Sequence, residues 1–374
     1  MCNPREAQAV TAGSGDAAET STQLTGHPLF FERNRVFRVY RGGKLFHDFF
    51  GDAAEDGNLP EEWIASSVKA LNRDSTDEKE GVSKVEGTAW YFDELLKAEK
   101  ERMLGDRDQL GILVKALDSA IRLPIQAHPD KAFSRKYFHS EYGKAETWLV
   151  LATRENARIY FGFREKLTAE QFRQVVERSE TEKDVMEPLL NEIRVQKGDV
   201  FFIPAKAVHA IGYGCLILEI QEPTDFTLQP ESWCGDYHLN DYEKYLGLSQ
   251  EVALTCFDYT LCGEKAVAVG RKQPRVYAQA DGVTSEVLIG ADDTDCFGVR
   301  RHRIDAGVLH GLYAPSVCVI TDGQGEIRCG DYVRTVKKGD YFFLPYAAGE
   351  ACTVQSDEKL ELVECLPPHA LTAV

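Results

Sequence analysis

Four polar residues of this chain could do chemistry together: Gln126 and His128 in "RLPIQAHPDKAF", Glu146 in "GKAETW", and His209 in "KAVHAIG". Gln126 and His128 are two apart among apolar residues, and side chains two apart on a strand point to the same face. Two imidazole nitrogens, a carboxylate and an amide oxygen make an N/O donor set suited to zinc or another divalent first-row metal. No His-x-x-x-His helix and no Cys-x-x-Cys pair accompanies them, so a zinc finger or a helix-based protease site is not expected. Four protein ligands and a water would leave a position for a substrate oxygen, which Lewis-acid chemistry requires. Taken singly, each residue also fits a hydrogen-bonded structural role. Glu219, in "LILEIQE", is a lone charge in an apolar strand. It reads either as a satisfied buried carboxylate or as a proton carrier with a pKa raised by burial.

The elements that must position these residues are mostly strands. "HPLFFERNRVFRVYRGGKLFHDFFG" reads as strand, turn and a short amphipathic piece, and "PEEWIASSVKALN" as a further strand. "FDELLKAEKERMLG" is helical by its apolar spacing, and "LGILVKALDSA" leads into the strand expected to carry Gln126 and His128. "WLVLATRENARIYFGF" reads as two strands about a turn at Glu155 and Asn156. A helical insertion is expected over about 166–194, with Thr168 as N-cap, Gln171 completing a capping box, and Phe172, Val175 and Val176 at helical spacing. Lys197-Gly198-Asp199 then supplies a turn, Val200 to Ile203 a strand that Pro204 ends, and "CLILEIQE" a strand buried on both faces. Short strands and frequent turns indicate a sandwich or barrel.

"VQKGDVFFIPAKAVHA" (195–210) returns as "VKKGDYFFLPYAAGEA" (336–351), which implies two duplicated units. His209 corresponds to Glu350, so the second copy keeps the scaffold and lacks the imidazole. The reading is a disordered tail over 1–26, a metal-binding unit over 27–260, and a second unit over 265–374 without the ligands.

With 374 residues, two to three domains are expected. The net charge of −17 argues against nucleic acid or an anionic membrane as partner, since phosphate attraction needs a basic surface. A phosphate on a small substrate would need only a few local cations. No apolar run approaches the roughly 20 residues that cross a bilayer. The amino terminus lacks the basic start and apolar middle of a signal peptide, and a cytoplasmic location is expected. The ten cysteines are scattered without a Cys-x-x-Cys pair, and are expected to be buried thiols rather than disulfides.

In order, "IQAHPDK", "GKAETW", "KGDVFFIPAKAVHAIG" and "LILEIQEPTD" resemble the class I phosphomannose isomerases, with the short bacterial-type forms most similar. The resemblance is good over 27–260 and looser beyond. It implies a mainly β protein of two cupin-like double-stranded β-helix domains with a small helical insertion. It also implies one divalent metal, zinc in that family, at Gln126, His128, Glu146 and His209. The implied activity is interconversion of mannose 6-phosphate and fructose 6-phosphate, with a small-molecule sugar phosphate as partner; a homodimer is compatible with it. By motif position Lys144 matches an active-site lysine, and Lys144 and Glu219 are the candidates for proton transfer through an enediol.

Three positions depart from the family pattern. Pro124 stands where the family has Ser before Ile-Gln, and Gln229 stands where it has an arginine, the natural bidentate partner of a phosphate. Lys206 replaces a small residue. Three readings follow: a phosphate held by other cations, of which Lys131, Arg135 and Lys206 are nearest in sequence; isomerisation of an unphosphorylated or differently charged sugar; or a catalytically silent metal- or sugar-binding module.

Overall fold

The structure is a computed structural model and describes residues 21–72 and 75–370. It is mainly β, as expected. A seven-stranded antiparallel sheet runs in the order Arg271–Lys272, Val200–Ile203, Glu146–Thr153, Cys215–Gln221, Leu113–Asp118, Glu61–Ile64, Arg35–Val36. A three-stranded sheet of Leu190–Arg194, Arg158–Phe163 and His209–Ile211 faces it. Between them lies a core of Trp148, Phe201, Ile217, Ile159, Phe161 and Ile211. The two strands about Asn156 therefore form no hairpin. The chain crosses from one sheet to the other there, with Asn156 at φ 60°.

Because strand side chains alternate, the other face of the large sheet needs a second partner. Leu149, Phe202, Leu216, Leu218 and Ile220 pack against Val317, Val319, Phe343 and Val363 of an eight-stranded sheet. This explains why every residue of Cys215–Gln221 is buried. Trp148 is fully buried, and truncating such a side chain to Ala costs about 3–5 kcal/mol.

Of the helical insertion expected over about 166–194, Ala169–Arg178 is a helix with the Thr168–Gln171 capping box in place, whereas Leu190–Arg194 is a strand paired with Arg158–Phe163. Phe172 and Val176 are buried beside Phe163, Tyr245 and Phe257, while Val175 is partly buried. The sequence repeat has a structural counterpart. Val200–Ile203 pairs with Glu146–Thr153 as Tyr341–Leu344 pairs with Ser316–Cys329. Register then equates Glu146 with Ser316 and Trp148 with Cys318, and through these Glu219 with Glu364 and Lys115 with Arg300. The second unit keeps a carboxylate–cation cross-strand pair and lacks the metal-type ligands. Glu350 lies in a 3-10 turn, Tyr346–Ala351, and is exposed.

Four expectations need correction. Gln126 and Ala127 lie in isolated bridges, to His209 and Leu228, rather than in a regular strand; Pro124 and Pro129 interrupt the ladder. The proposed tail falls partly outside the described residues, but 21–26 are packed, with Ser21 Oγ donating to Glu99 (2.6 Å) and Arg102 Nε to Thr25 (2.6 Å). Strands also cross the expected division at 260–265: Leu29–Phe30 pairs with Tyr341–Leu344 of the second unit, and Arg271–Lys272 with Val200–Ile203 of the first. Finally, Cys329 and Cys352, directly opposite each other across two strands, are joined as a disulfide; the seven other described cysteines are free.

Candidate metal centre and cavity

His209 begins its strand after a turn in which Lys206 takes φ 71° and donates its N–H to the His128 carbonyl (2.7 Å). His209 and Gln126 exchange both backbone hydrogen bonds, each 2.9 Å, which makes them a directly opposed antiparallel pair with side chains on one face. Just beyond His128, Asp130 caps the helix Lys131–Phe138 by accepting from the Phe133 N–H. The Gly143–Ala145 turn is clamped by buried Glu222, which accepts from the N–H groups of Gly143 (3.2 Å) and Ala145 (3.0 Å). A Cβ at Gly143 would sit 2.6 Å from the Pro129 carbonyl oxygen, so glycine is needed for Lys144 and Glu146 to approach His128.

These constraints bring His128, Glu146 and His209 together, all buried, with potential ligand atoms within 4.8 Å of one another. His128 Nε2 is 3.1 Å from Glu146 Oε2, and His209 Nε2 is 3.5 Å from Oε1. Each imidazole donates Nδ1–H to a backbone carbonyl, His128 to Phe226 (3.0 Å) and His209 to Ala207 (2.9 Å). Nε2 is thereby left as a lone pair aimed at the carboxylate, the arrangement of metal-binding histidines. His209 Nε2 is fully buried and completes no hydrogen bond, and the equally buried Glu146 Oε2 has, besides the His128 contact, only the ion pair with Lys144; a buried polar atom without a hydrogen bond calls for a partner.

Burial pushes the His128 pKa down to about 3, the Lys144 charge adding to the effect, and burial also lowers His209. For Glu146 burial acts upward, but Lys144 and the two imidazoles hold the carboxyl well below its usual range. Neutral imidazoles and an ionised carboxylate are the forms a divalent cation needs. The donor set therefore fits such an ion. Lys144 Nζ lies beside it, 2.8 Å from His128 Nε2 and 3.1 Å from Glu146 Oε2.

Next to this cluster opens a cavity of about 930 Å³, lined by Gln126, Lys144, Glu219, Gln229 and Pro124 among others. Glu219 is directly opposite both Trp148 and Lys115, accepts from the indole N–H of Trp148 (3.2 Å), and lies 3.6 Å from Lys115 Nζ. Burial, with the Glu146 charge adding, pushes its pKa up to about 7.

The cations expected to receive a phosphate are elsewhere. Lys131 and Arg135 line a separate cleft, Lys131 within 4 Å of Glu222 and Asp295 (3.9 and 3.6 Å) and Arg135 bonded to Glu141 (2.6 Å). Lys206 is not among the residues lining the main cavity. The helix that starts at Lys131 places Lys131 and Arg135 outside the main cavity, a direction the sequence spacing did not reveal.

Sequence reasoning missed a charged floor. Arg38 binds Asp225 with both carboxylate oxygens at 3.1 Å and Glu61 at 3.1 Å. Lys115, only 3% exposed, lies 3.9 Å from Glu61 and 3.8 Å from Asp225. Glu61 also accepts from Tyr40 and from the Trp63 indole (2.7 Å). Lys115 had a signal: it is a lone charge in "ILVKALD", as Glu219 is in "LILEIQE".

Facing antiparallel sheets with a buried His–Glu–His cluster beside a cavity lined by several charged and amide side chains define a cupin-type protein with a metal-type site. In sequence and fold, this chain is similar to proteins named mannose-6-phosphate isomerase. It is 28% identical to "Mannose-6-phosphate isomerase ManA" of Bacillus subtilis over 266 residues, covering 70% of this chain and 76% of that one. It is 27% identical to the mannose-6-phosphate isomerase of Streptococcus mutans, covering 85% and 92%. Among solved structures, a mannose 6-phosphate isomerase from Bacillus subtilis superposes with a TM-score of 0.71 at 22% identity, over 90% of this chain and 99% of that chain. No protein-family model matches. Among the described residues no helix is long and apolar enough to cross a membrane.

Proposed function

We propose that the chain is a metal-dependent aldose–ketose isomerase acting on a hexose of the mannose and fructose type. The observation that carries this is the buried His128–Glu146–His209 cluster beside Lys144, which together with Gln126 and Glu219 lines a cavity of about 930 Å³, ample for a hexose. Kinship with relatives named mannose-6-phosphate isomerase, over most of both chains, supports the same reading.

His128, Glu146 and His209, with Gln126 beside His209, would hold the ion, zinc being the cation best suited to that donor set. When bound, such an ion polarises a carbonyl or hydroxyl oxygen of the sugar. The chain's own groups supply the rest. Moving the carbonyl between C1 and C2 requires that a proton leave one carbon and arrive at the other through an enediol. A base must lie within hydrogen-bond reach of that proton and titrate near the working pH. Glu219 meets the second condition, with a pKa near 7, and its carboxylate lines the cavity. Lys144 Nζ, held by Glu146, is a fixed cation beside the cluster and suits charge developing on an enediolate oxygen. Trp148 and the apolar core beneath exclude water behind Glu219.

A coupled assay of mannose-to-fructose conversion, with and without chelator, tests the proposal. Turnover abolished by chelation and restored by zinc is expected; chelator-resistant turnover of fully metal-free protein contradicts it.

A further inference from the structure

The turn that carries Lys144 is moulded by the loop that follows the Glu219 strand, and the inference drawn from it rests on the isomerase reading above. Glu222 Oε1 accepts from the Gly143 N–H (3.2 Å) and Oε2 from the Ala145 N–H (3.0 Å). The Glu222 N–H donates in return to the Ala145 carbonyl (3.1 Å), and Thr224 Oγ1 donates to the Gly143 carbonyl (2.7 Å). Between them the Lys144 N–H donates to the Pro129 carbonyl (2.9 Å). The loop is itself held by Gln221, whose Nε2 donates to the carbonyls of Glu222 (2.9 Å) and Thr224 (2.5 Å). Gln221, Glu222 and Thr224 are all buried.

Residues 143–145 are thereby fixed from both sides, and the side chains they aim are those of the site. Lys144 Nζ is set 2.8 Å from His128 Nε2 and 3.1 Å from Glu146 Oε2, and Glu146 follows directly on the gripped Ala145. Two N–H groups need an acceptor each, which a carboxylate supplies and an amide, with one oxygen, does not. A buried N–H left without its acceptor bears its full desolvation cost, so the turn would shift rather than keep one. Glu222 lines the separate cleft with Lys131 and Arg135, 3.9 Å from Lys131 Nζ, and is not among the residues lining the main cavity. Its path to the reacting sugar therefore runs through 143–145.

We propose that Glu222 is a positioning residue for the isomerisation: its two carboxylate oxygens, with the Thr224 hydroxyl, hold residues 143–145 so that the Lys144 ammonium and the Glu146 carboxylate converge on His128. Partners that orient metal ligands typically cost about 10–100-fold in metal affinity or activity when removed. A displacement of about 1 Å at reacting groups costs about a hundredfold in rate.

The test is Glu222→Gln, which keeps the size of the side chain. Zinc affinity is measured by competition with a chromophoric chelator, and kinetics at saturating zinc with mannose and with mannose 6-phosphate. The zinc Kd should rise at least about fivefold and kcat fall at least about tenfold, with KM within about threefold, for whichever sugar the parent turns over. A folded variant with the parental kcat, or with a loss confined to KM, overturns the inference. Thr224→Val and Thr224→Ser separate positioning from stability, because only serine keeps the hydroxyl that bonds Gly143. Valine should lower kcat at least about threefold while serine stays within about twofold; equal kcat in the two, or losses that follow melting temperature instead of the hydroxyl, contradict the inference. This pair decides if Glu222→Gln does not fold. If the parent turns over neither sugar, the isomerase reading fails by itself and zinc affinity decides alone: a raised Kd in folded Glu222→Gln supports the inference, and an unchanged Kd refutes it.

Discussion

Replacing Lys115 by Met tests how the buried charges govern Glu219. The substitution keeps an unbranched apolar stem of similar length and removes the ammonium 3.6 Å from the Glu219 carboxylate. Glu219, already raised to about 7, loses a neighbouring cation that favours its ionised form, so its pKa must rise further. Unit charges about 4 Å apart interact by about 4 kcal/mol at an effective dielectric near 20. One pH unit corresponds to about 1.4 kcal/mol, so the ceiling is about three pH units. Arg38 and Lys144 remain nearby, and a rise of about one to three pH units is expected. If ionised Glu219 takes the proton, kcat/KM at pH 7 falls about five- to five-hundredfold and recovers as pH rises. The assay is a pH profile of kcat/KM for Lys115→Met, Lys115→Arg and the parent, with circular dichroism at each pH. Folding is monitored because breaking a buried ion pair costs about 3–5 kcal/mol. The arginine variant should keep the parental acid limb. A folded methionine variant with an unshifted acid limb would refute the coupling of Lys115 to the proton-transfer step.

Three other outcomes are expected. His209→Ala should lower bound zinc by at least tenfold at equal free metal, while Glu350→Ala, at the corresponding exposed position of the second unit, should leave it unchanged; equal loss in both contradicts a single site. Because the folded pKa of Glu219 lies above its ordinary value of 4.5, its contribution to stability is present below about 4.5 and is lost as pH rises through about 7. Melting temperatures of metal-free Glu219→Gln should therefore gain on the parent between those pH values, and a constant difference would argue against the raised pKa. Thr168→Ala removes the cap of Ala169–Arg178 and should cost about 0.5–2 kcal/mol in chemical denaturation with kcat/KM unaltered; a large activity loss would tie that helix to the site.

Much of the local structure was legible in the sequence because it depends on local chemistry. The Thr168–Gln171 capping box, the Lys197–Asp199 turn and the all-buried Cys215–Gln221 strand needed only spacing and composition. Gln126, His128, Glu146 and His209 could be nominated from residue type, yet their meeting depends on a non-local exchange of hydrogen bonds between Gln126 and His209 that no local motif encodes. The direction of the helix after Pro129 is equally hidden, so Lys131 and Arg135, close to the site in sequence, do not line the main cavity. Arg38 was obscured because it lies in a run of basic residues, "RNRVFRVYR", where pairing with Asp225, 187 residues away, is invisible. The Cys329–Cys352 link also depends on a register between strands distant in the chain.

Sugar isomerisation is proposed to require an ion held by His128, Glu146 and His209. The most direct measurement is titration of zinc into metal-depleted protein, recording bound metal and mannose isomerisation in the same samples. Activity should rise in proportion to bound zinc and reach its plateau at one ion per chain, with His209→Ala following neither curve. Full activity in protein shown to hold no metal, or a plateau unrelated to occupancy of this site, would contradict it.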